Sequence, residues 1–228
     1  MKIGVAGENI DDINFLIRKL KNHGYDASTE YDNFLIYIFD GKKAPKNAKI
    51  IIKKDDKFKD KINDMINDLP YERPSWDEYF LNIMKKVGSR ATCSRGRSGC
   101  VITRNNQILV TGYVGAPRNV SHCDEIGHEF KQMLKDDGSV RNHCVRTTHA
   151  EQNAICQAAK LGISLDGSTL YCTMTPCYTC AKMIINCGIK KVVAQRDYHA
   201  SDETKRIFKE AKLQLKLLNK EVTTYKNM

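Results

Sequence analysis

The chain has 228 residues, 41% of them hydrophobic, and a formal net charge of +10. This length is enough for one large domain, or for a core domain with a smaller one. The sequence shows neither a stretch long and apolar enough to span a membrane nor an N-terminal secretion signal, so we expect a cytoplasmic protein. Nine cysteines in such a chain favour metal ligands and reduced core thiols over a disulfide framework.

Residues 1–70 are predicted to form a small α/β domain. Its strands are KIGVAG, NFLIYIF and AKIIIK, and its helices begin at Asp11 or Asp12 and at about Asp60. The glycines of GVAGENI lack the Lys and Ser/Thr that complete a phosphate-binding loop, which favours a tight strand-to-helix turn. The lysine run at 42–61 is typical of a solvated surface, and a nucleotide-phosphate or polyanion site is the alternative.

Residues 71–228 are predicted to form a second α/β domain. Ser75 and Glu78 have the spacing of a capping box that begins a helix. Strands GCVITR and QILVTGYV follow, and then a polar stretch from Gly115 to Thr148 that is too long for an ordinary loop. The remaining predicted elements are the helix HAEQNAICQAAKLG, the strand STLYCTM, the helix CYTCAKMIINCG, the strand KKVVAQ and a C-terminal helix from about Ser201 to Leu218.

The chemistry of the chain is concentrated at two predicted helix starts, one with His149 and Glu151 and one with Cys177 and Cys180. Cysteines three residues apart on a helix point to the same side, and the helix dipole favours the metal-binding thiolate. One imidazole and two thiolates leave tetrahedral zinc an open position, as in catalytic sites. Glu151 could take a proton from water there and pass it to a leaving amine. Alone, the cysteines could be a redox pair, but H-x-E followed by P-C-x-x-C is the signature of zinc nucleobase deaminases.

From about Arg73 to His199 the sequence resembles the deoxycytidylate (dCMP) deaminases and the late-competence-type deaminases. The segments that carry the resemblance are RPSWDEYF, SRATCSRGRSGCVI, TGYVGAPRN, HCVRTTHAEQNAI, LYCTMTPCYTCAKMIINCGIKKVV and RDYH. The resemblance implies a three-layer cytidine-deaminase-like fold, in which a mixed five-stranded sheet has helices on both faces. It also implies that residues 1–70 are a degenerate nucleoside-kinase-like extension.

The same resemblance implies a zinc-dependent hydrolysis of dCMP to dUMP and ammonia, which supplies dUMP for thymidylate synthesis. By this match His149, Cys177 and Cys180 hold the catalytic zinc, and Glu151 moves protons while water attacks C4 of the pyrimidine. Relatives are often homo-oligomers, frequently hexamers, that dCTP activates and dTTP inhibits. We therefore expect a homo-oligomer with such effectors, with Mg²⁺ accompanying the effector nucleotide. Neither a membrane nor nucleic acid is an expected partner.

Substrate recognition is where the sequence departs from the family pattern. The family reads G-Y-N-G-x-P after the second strand, and its asparagine contacts the sugar and phosphate side of the nucleotide. Here that position is Val114, which has no hydrogen-bonding side chain. The candidate substrate contacts are Arg97, Val114, Gly115 and Tyr198, with Arg90 and Arg118 as further candidates for the phosphate. A solvated surface position is the alternative for each arginine.

The long polar stretch also predicts a second, structural zinc, since some relatives bind one through cysteines that match Cys93 and Cys123 and through ligands just before the H-A-E motif. Ordinary loop thiols are the alternative. A structural zinc would supply ordering energy that the polar composition lacks. The candidate ligands are Cys93, Cys123, His143 and Cys144, with His122 or His128 as alternatives.

Two other functions share parts of this pattern. A tRNA or single-stranded-DNA deaminase would carry both motifs and suit the charge of +10, but the cysteine-bearing insert and the N-terminal extension favour the nucleotide enzyme. A non-enzymatic, zinc-stabilised binding protein on a deaminase scaffold would have no use for Glu151 as a proton carrier.

Overall fold

The computed structural model describes residues 2–7, 9–30, 35–39, 46–69, 73–134, 138, 140–219 and 222–223. Contacts divide the chain into two compact units, Met1–Arg73 and Pro74–Met228. The predicted boundary after residue 70 falls among residues outside those described. None of the helices formed by the described residues has the length and apolar character needed to cross a bilayer.

In its described residues, the first unit has four parallel strands in the order β2-β1-β3-β4 and two helices. Asn9, rather than the predicted Asp11 or Asp12, caps the first helix, because its side chain accepts hydrogen bonds from the backbone N–H groups of both aspartates. The nucleoside-kinase-like origin of this unit stays a prediction. The elements are β1 (Lys2–Gly7), α1 (Ile10–Asn22), β2 (Asp26–Ser28), β3 (Leu35–Phe39), β4 (Ala48–Lys53) and α2 (Phe58–Asp68).

The second unit is built on a mixed sheet, as predicted. Its elements are α3 (Trp76–Gly88), β5 (Gly99–Arg104), β6 (Gln107–Tyr113), α4 (Cys123–Ile126), β7 (Phe130–Leu134), β8 (Val140–Cys144), α5 (Ala150–Leu161), β9 (Thr169–Met174), α6 (Tyr178–Asn186), β10 (Lys191–Tyr198), α7 (Asp202–Glu210), β11 (Gln214–Leu217) and β12 (Val222–Thr223). The strand order is β11-β10-β9-β5-β6, and β12 pairs with β10. Strand β5 is antiparallel to β6 and β9, whereas β9, β10 and β11 are parallel.

Helices cover both faces of this sheet, which confirms the three-layer fold. Alternate residues of a strand point to opposite faces. Val101 and Tyr171 therefore pack with α3 on one face. Their neighbours Cys100 and Cys172 pack with α5, α6 and α7 on the other face, in the larger core. The Ser75–Glu78 capping box that begins α3 is present as predicted.

The polar stretch before α5 is folded rather than irregular. It contains α4 and the β7–β8 hairpin, in which Phe130 pairs with Cys144 and Lys131 with His143. The stretch returns to the sheet region where Gly115 forms an isolated bridge with Thr148. The bridge lies one residue before His149, so the insert ends directly at the first predicted metal ligand.

The C-terminal helix is shorter than predicted. It ends at Glu210, and residues 214–217 form strand β11 on the edge of the sheet. Lys212 takes a left-handed φ of 55°, which a helix cannot continue. The apolar residues beyond it alternate with a period of two, at Leu213, Leu215 and Leu217, and this pattern suits a strand packed against the core.

Candidate active site

The first half of the site is the start of α5. His149 is the N-cap, with φ −68° and ψ 157°, and its backbone N–H donates to Gln152 Oε1 at 2.9 Å. Glu151 lies in the first turn and is only 8% exposed. Gly112 of β6 lets this turn approach the sheet, because a Cβ there would overlap the carbonyl oxygen of Ala150. Sheet packing therefore fixes the position of His149 and Glu151.

The second half is the turn from β9 into α6. Cys177 is the N-cap of α6, and Cys180 lies in its first turn and is fully buried. Cys177 Sγ lies 3.4 Å and Cys180 Sγ 3.5 Å from Nδ1 of His149. The structure thus brings together the three side chains that the sequence predicts as ligands, with their donor atoms all within 4.8 Å of one another.

These three donors fit tetrahedral zinc. With zinc–sulfur and zinc–nitrogen bonds of usual length, the sulfur–nitrogen edge of the tetrahedron would be about 3.5 Å. Both measured sulfur–nitrogen distances match this edge. One imidazole and two thiols are also a donor set that zinc prefers, and three protein donors leave a position for water.

Electrostatics prepare the same groups for metal binding and proton transfer. A hydrogen bond from Cys180, together with the nearby His149, lowers the pKa of Cys177 to about 4, so this residue is a thiolate at neutral pH. The pKa of Cys180 is raised because its thiol donates to Cys177 and is buried. Burial raises the pKa of Glu151, against the opposing effect of His149. A buried carboxyl with a raised pKa is suited to accepting and releasing protons.

Asp197, which the sequence analysis did not single out, makes hydrogen bonds that fix the turn from β9 into α6. The side chain is buried, and its Oδ1 accepts from Thr175 Oγ1 and Ser201 Oγ, both at 2.8 Å, while Lys205 Nζ donates to Oδ2 at 2.6 Å. Thr175 lies two residues before Cys177. The carboxylate therefore ties this turn to the segment that leads into α7.

A second cluster is formed by residues of the insert and of the loop after α3. Cys93, Cys123 and Cys144 are buried together, and the donor atoms of Cys93, Cys123 and His128 lie within 4.8 Å of one another. Cys123 Sγ is 3.7 Å from Cys144 Sγ, and Cys93 Sγ is 3.8 Å from His128 Nδ1. The edges of a zinc tetrahedron would be about 3.8 Å between sulfurs and about 3.5 Å between sulfur and nitrogen, so both measured distances are close to such an edge. The sulfur of Cys144 is near that of Cys123 but does not belong to the group of donors that lie within 4.8 Å of one another.

The structure differs from the prediction at His143. It was a candidate ligand of the second cluster, but its ring centroid lies 5.9 Å from that of His149 in the first cluster. The cause is strand geometry: Cys144 and His143 are neighbours on β8, so their side chains point in opposite directions. Of the two alternatives, His128 joins the cluster and His122 does not.

The candidate substrate contacts have different surroundings. Val114 and Gly115 are buried, and Gly115 exchanges backbone hydrogen bonds with Thr148. Arg97 is exposed, but its guanidinium donates to the carbonyl of Ala91 at 2.8 Å. Tyr198 is half-buried, with its ring 4.2 Å from that of His199. Arg90 and Arg118 are exposed. The hydrogen bonds of Gly115 link it to Thr148, which precedes His149.

Residues 74–196 match the model of the cytidine and deoxycytidylate deaminase zinc-binding region. The chain belongs to this family. The matched residues contain both motifs, and the family is one that binds zinc through this region.

Named deaminases are among the similar proteins. The deoxycytidylate deaminase of Saccharomyces cerevisiae is 37% identical over 143 residues, which cover 62% of this chain and 44% of that protein. ComE operon protein 2 of Bacillus subtilis is 37% identical over 140 residues, which cover 61% of this chain and 69% of that protein. The chain thus spans less than half of the yeast protein. The dCMP deaminase of cyanophage S-TIM5, solved with dCMP and dUMP, is 28% identical with a TM-score of 0.52, and the match covers 65% of this chain and all of that chain.

Proposed function

We propose that the protein is a zinc-dependent deaminase that hydrolyses a free deoxycytidine nucleotide, dCMP, to dUMP and ammonia. The observation that carries the proposal is the buried carboxyl of Glu151 next to the His149–Cys177–Cys180 donor set. The likeness to deoxycytidylate deaminases over most of the second unit supports dCMP as the substrate.

In this proposal His149, Cys177 and Cys180 hold zinc. When bound, zinc in a site of this kind lowers the pKa of water toward neutrality. Glu151 accepts a proton from the water that attacks C4 and delivers it to N3 of the base. It then carries the second proton to the amino group on C4, which leaves as ammonia. Water is consumed and ammonia released, so no oxidant or reductant is needed.

The phosphate and sugar would be bound by groups outside the metal site. We propose Gly115, Arg97 and Tyr198 for this role, with Val114 at the position where relatives have an asparagine. Arg97 would have to leave its contact with the Ala91 carbonyl to reach a phosphate, which its exposed guanidinium allows.

We further propose that Cys93, Cys123, Cys144 and His128 bind a second zinc, which has a structural role. Four donors close a tetrahedral site, and zinc in such sites adds directly to folding stability. Elemental analysis of protein purified without added metal should give about two zinc ions per chain. A value near one, with full activity, would remove the structural zinc from the proposal and leave the catalytic one.

Regulation and assembly are proposed from the family resemblance alone. The protein would form a homo-oligomer, with a hexamer favoured, and dCTP with Mg²⁺ would activate it while dTTP inhibits it. Light scattering and activity with each nucleotide, with and without Mg²⁺, test these points separately. A monomer with activity unaffected by either nucleotide would contradict both.

The function itself is tested by ammonia release from dCMP, dCTP, CMP, cytidine, a cytosine-containing oligonucleotide and tRNA. We expect dCMP to be deaminated fastest. Faster reaction with either polymer than with both deoxynucleotides would instead indicate a polynucleotide deaminase. If none of these compounds reacts although the zinc site is filled, the chain is not a cytosine deaminase.

A further inference from the structure

His143 and Cys144 are adjacent on β8 but serve different surroundings. The thiol of Cys144 is buried with Cys93 and Cys123 in the second cluster. The ring of His143 faces His149, with centroids 5.9 Å apart and planes inclined at 62°. The β7–β8 hairpin therefore places the thiol of Cys144 in the second cluster and the imidazole of His143 beside the first.

This imidazole lies on the open side of the first cluster. Cys180 is fully buried, whereas His149 and Cys177 are partly exposed, so a ligand from solvent must approach on the side of the latter two. His143 is partly exposed and lies close enough to both His149 and Cys177 for their charges to act on it. The ring of His143 therefore lies beside the two partly exposed donors of the cluster.

The ring nitrogens of His143 are also uncommitted. Within the described part of the chain, neither makes a hydrogen bond, and the ring contact with His149 is edge-on. A neutral imidazole presents one N–H donor and one acceptor nitrogen. It can therefore bind a polar group of a ligand without losing any contact within the protein.

We propose that His143 is a specificity-determining residue that accepts a hydrogen bond from the amino group on C4 of the cytosine base. The inference rests on the proposed deamination of dCMP. The amino group is a donor, whereas the oxygen that replaces it in dUMP only accepts. An acceptor nitrogen at this place favours the substrate over the product. His143 keeps the same protonation state throughout.

The test compares His143→Phe, which keeps a ring but has no acceptor, with His143→Gln, which keeps an acceptor oxygen. One neutral hydrogen bond corresponds to about a two- to tenfold change in affinity. His143→Phe should raise the KM for dCMP by that factor with kcat nearly unchanged, and should leave the inhibition constant of dUMP unchanged. His143→Gln should restore most of the loss. Lys131→Met, at the exposed residue of β7 that pairs with His143, is the control for the hairpin and should change none of these values.

Zinc content separates this role from others. It should equal that of the unsubstituted protein in both variants, because His143 is not among the donor sets. Equal weakening of dCMP and dUMP would overturn the inference in favour of simple packing, and loss of one zinc would overturn it in favour of a metal ligand. An unsubstituted protein that fills its zinc site but leaves dCMP intact would instead refute the proposed function on which the inference rests.

Discussion

The two Cys/His clusters use the same kinds of side chain on different kinds of backbone. In the first, His149 and Cys177 are N-caps of helices packed on the sheet, and three donors leave a coordination position open. In the second, the donors come from loops, the short α4 and the end of β8, and with Cys144 their number is four, enough to close a tetrahedral site. Among the residues that the structure describes, a buried carboxyl, Glu151, accompanies the first cluster and none accompanies the second. The difference separates a centre suited to chemistry from one suited to holding a loop.

The two clusters also differ in the pKa values of their cysteine thiols. Hydrogen bonding to Cys180 and His149 lowers the pKa of Cys177 to about 4, whereas burial and the neighbouring thiols Cys144 and Cys93 raise that of Cys123 to about 12. The first cluster already holds a thiolate without a metal. Cys180 in the first cluster and Cys123 in the second both have raised pKa values, so metal binding must release thiol protons from both clusters, and the metal occupancy of each should fall as the pH is lowered.

The largest expected effect comes from removing the proton carrier of the first centre. Glu151→Gln keeps the shape but cannot carry protons, so kcat should fall by about 10³- to 10⁴-fold while zinc content stays unchanged. Steady-state kinetics and elemental analysis measure both. The control is Glu125→Gln, because Glu125 lies beside the second cluster and its carboxylate accepts a hydrogen bond from the backbone N–H of His122. This variant should keep full activity. Near-normal turnover by the Glu151 variant with full zinc would remove Glu151 from the mechanism.

Breaking the second centre should affect folding rather than chemistry. Cys123→Ser should release one zinc per chain and lower the free energy of unfolding by on the order of 4 kcal/mol, as expected for the loss of a structural metal. Thermal unfolding with zinc analysis measures this. The matched control is Cys156→Ser, at an exposed thiol on α5. If zinc content and stability are unchanged, the four side chains are ordinary loop residues.

Asp197 should contribute to stability in a pH-dependent way. Burial alone would raise its pKa, but hydrogen bonds from Lys205, Thr175 and Ser201 outweigh burial and lower it. A carboxyl with a lowered folded-state pKa stabilises the fold above its unfolded pKa of about 3.9, and this contribution is lost as the pH falls through the folded-state value.

Asp197→Asn should therefore cost about 3 kcal/mol at pH 7, since it removes the charge-assisted hydrogen bond from Lys205 Nζ to the buried carboxylate. The difference from the unsubstituted protein should shrink as the pH falls below 4. Urea unfolding of both proteins between pH 7 and pH 3 measures this dependence. Asp202→Asn, at an exposed carboxylate near the same lysine, is the control. A cost that does not change with pH would show that shape, not charge, matters at Asp197.

The sequence predicted the mixed sheet and the start of α3 because both depend on local patterns, such as the capping box at Ser75. The two motifs at helix N-termini also predicted that His149, Cys177 and Cys180 lie together, and their role as zinc ligands stays a prediction. It did not predict which histidine joins the second cluster. His128 and His143 are equally plausible ligands by spacing, and only the direction of side chains on β8 separates them. The alternation of Leu213, Leu215 and Leu217 could have predicted β11, but the predicted helix ran on to about Leu218. The role of Asp197 could not be predicted from the sequence, because its hydrogen-bond partners come together only in the folded chain.

The smallest expected effect concerns the backbone that joins the two clusters. The carbonyl of Val114 accepts from the backbone N–H of Thr92, next to Cys93, and Gly115 pairs with Thr148, next to His149. Val114 thus lies between the centres, at the position where the family resemblance predicts an asparagine that contacts the nucleotide. Val114→Asn should add a hydrogen bond to a charged group, worth about 1.5 to 3 kcal/mol, and lower the KM for dCMP by about ten- to a hundredfold with kcat nearly unchanged. Val114→Leu, which adds no hydrogen-bonding group, should give no such gain. Val114→Asn could instead leave KM unchanged or raise it while both zinc ions remain bound. In that case another group already makes this contact, and the side chain at position 114 does not bind the nucleotide.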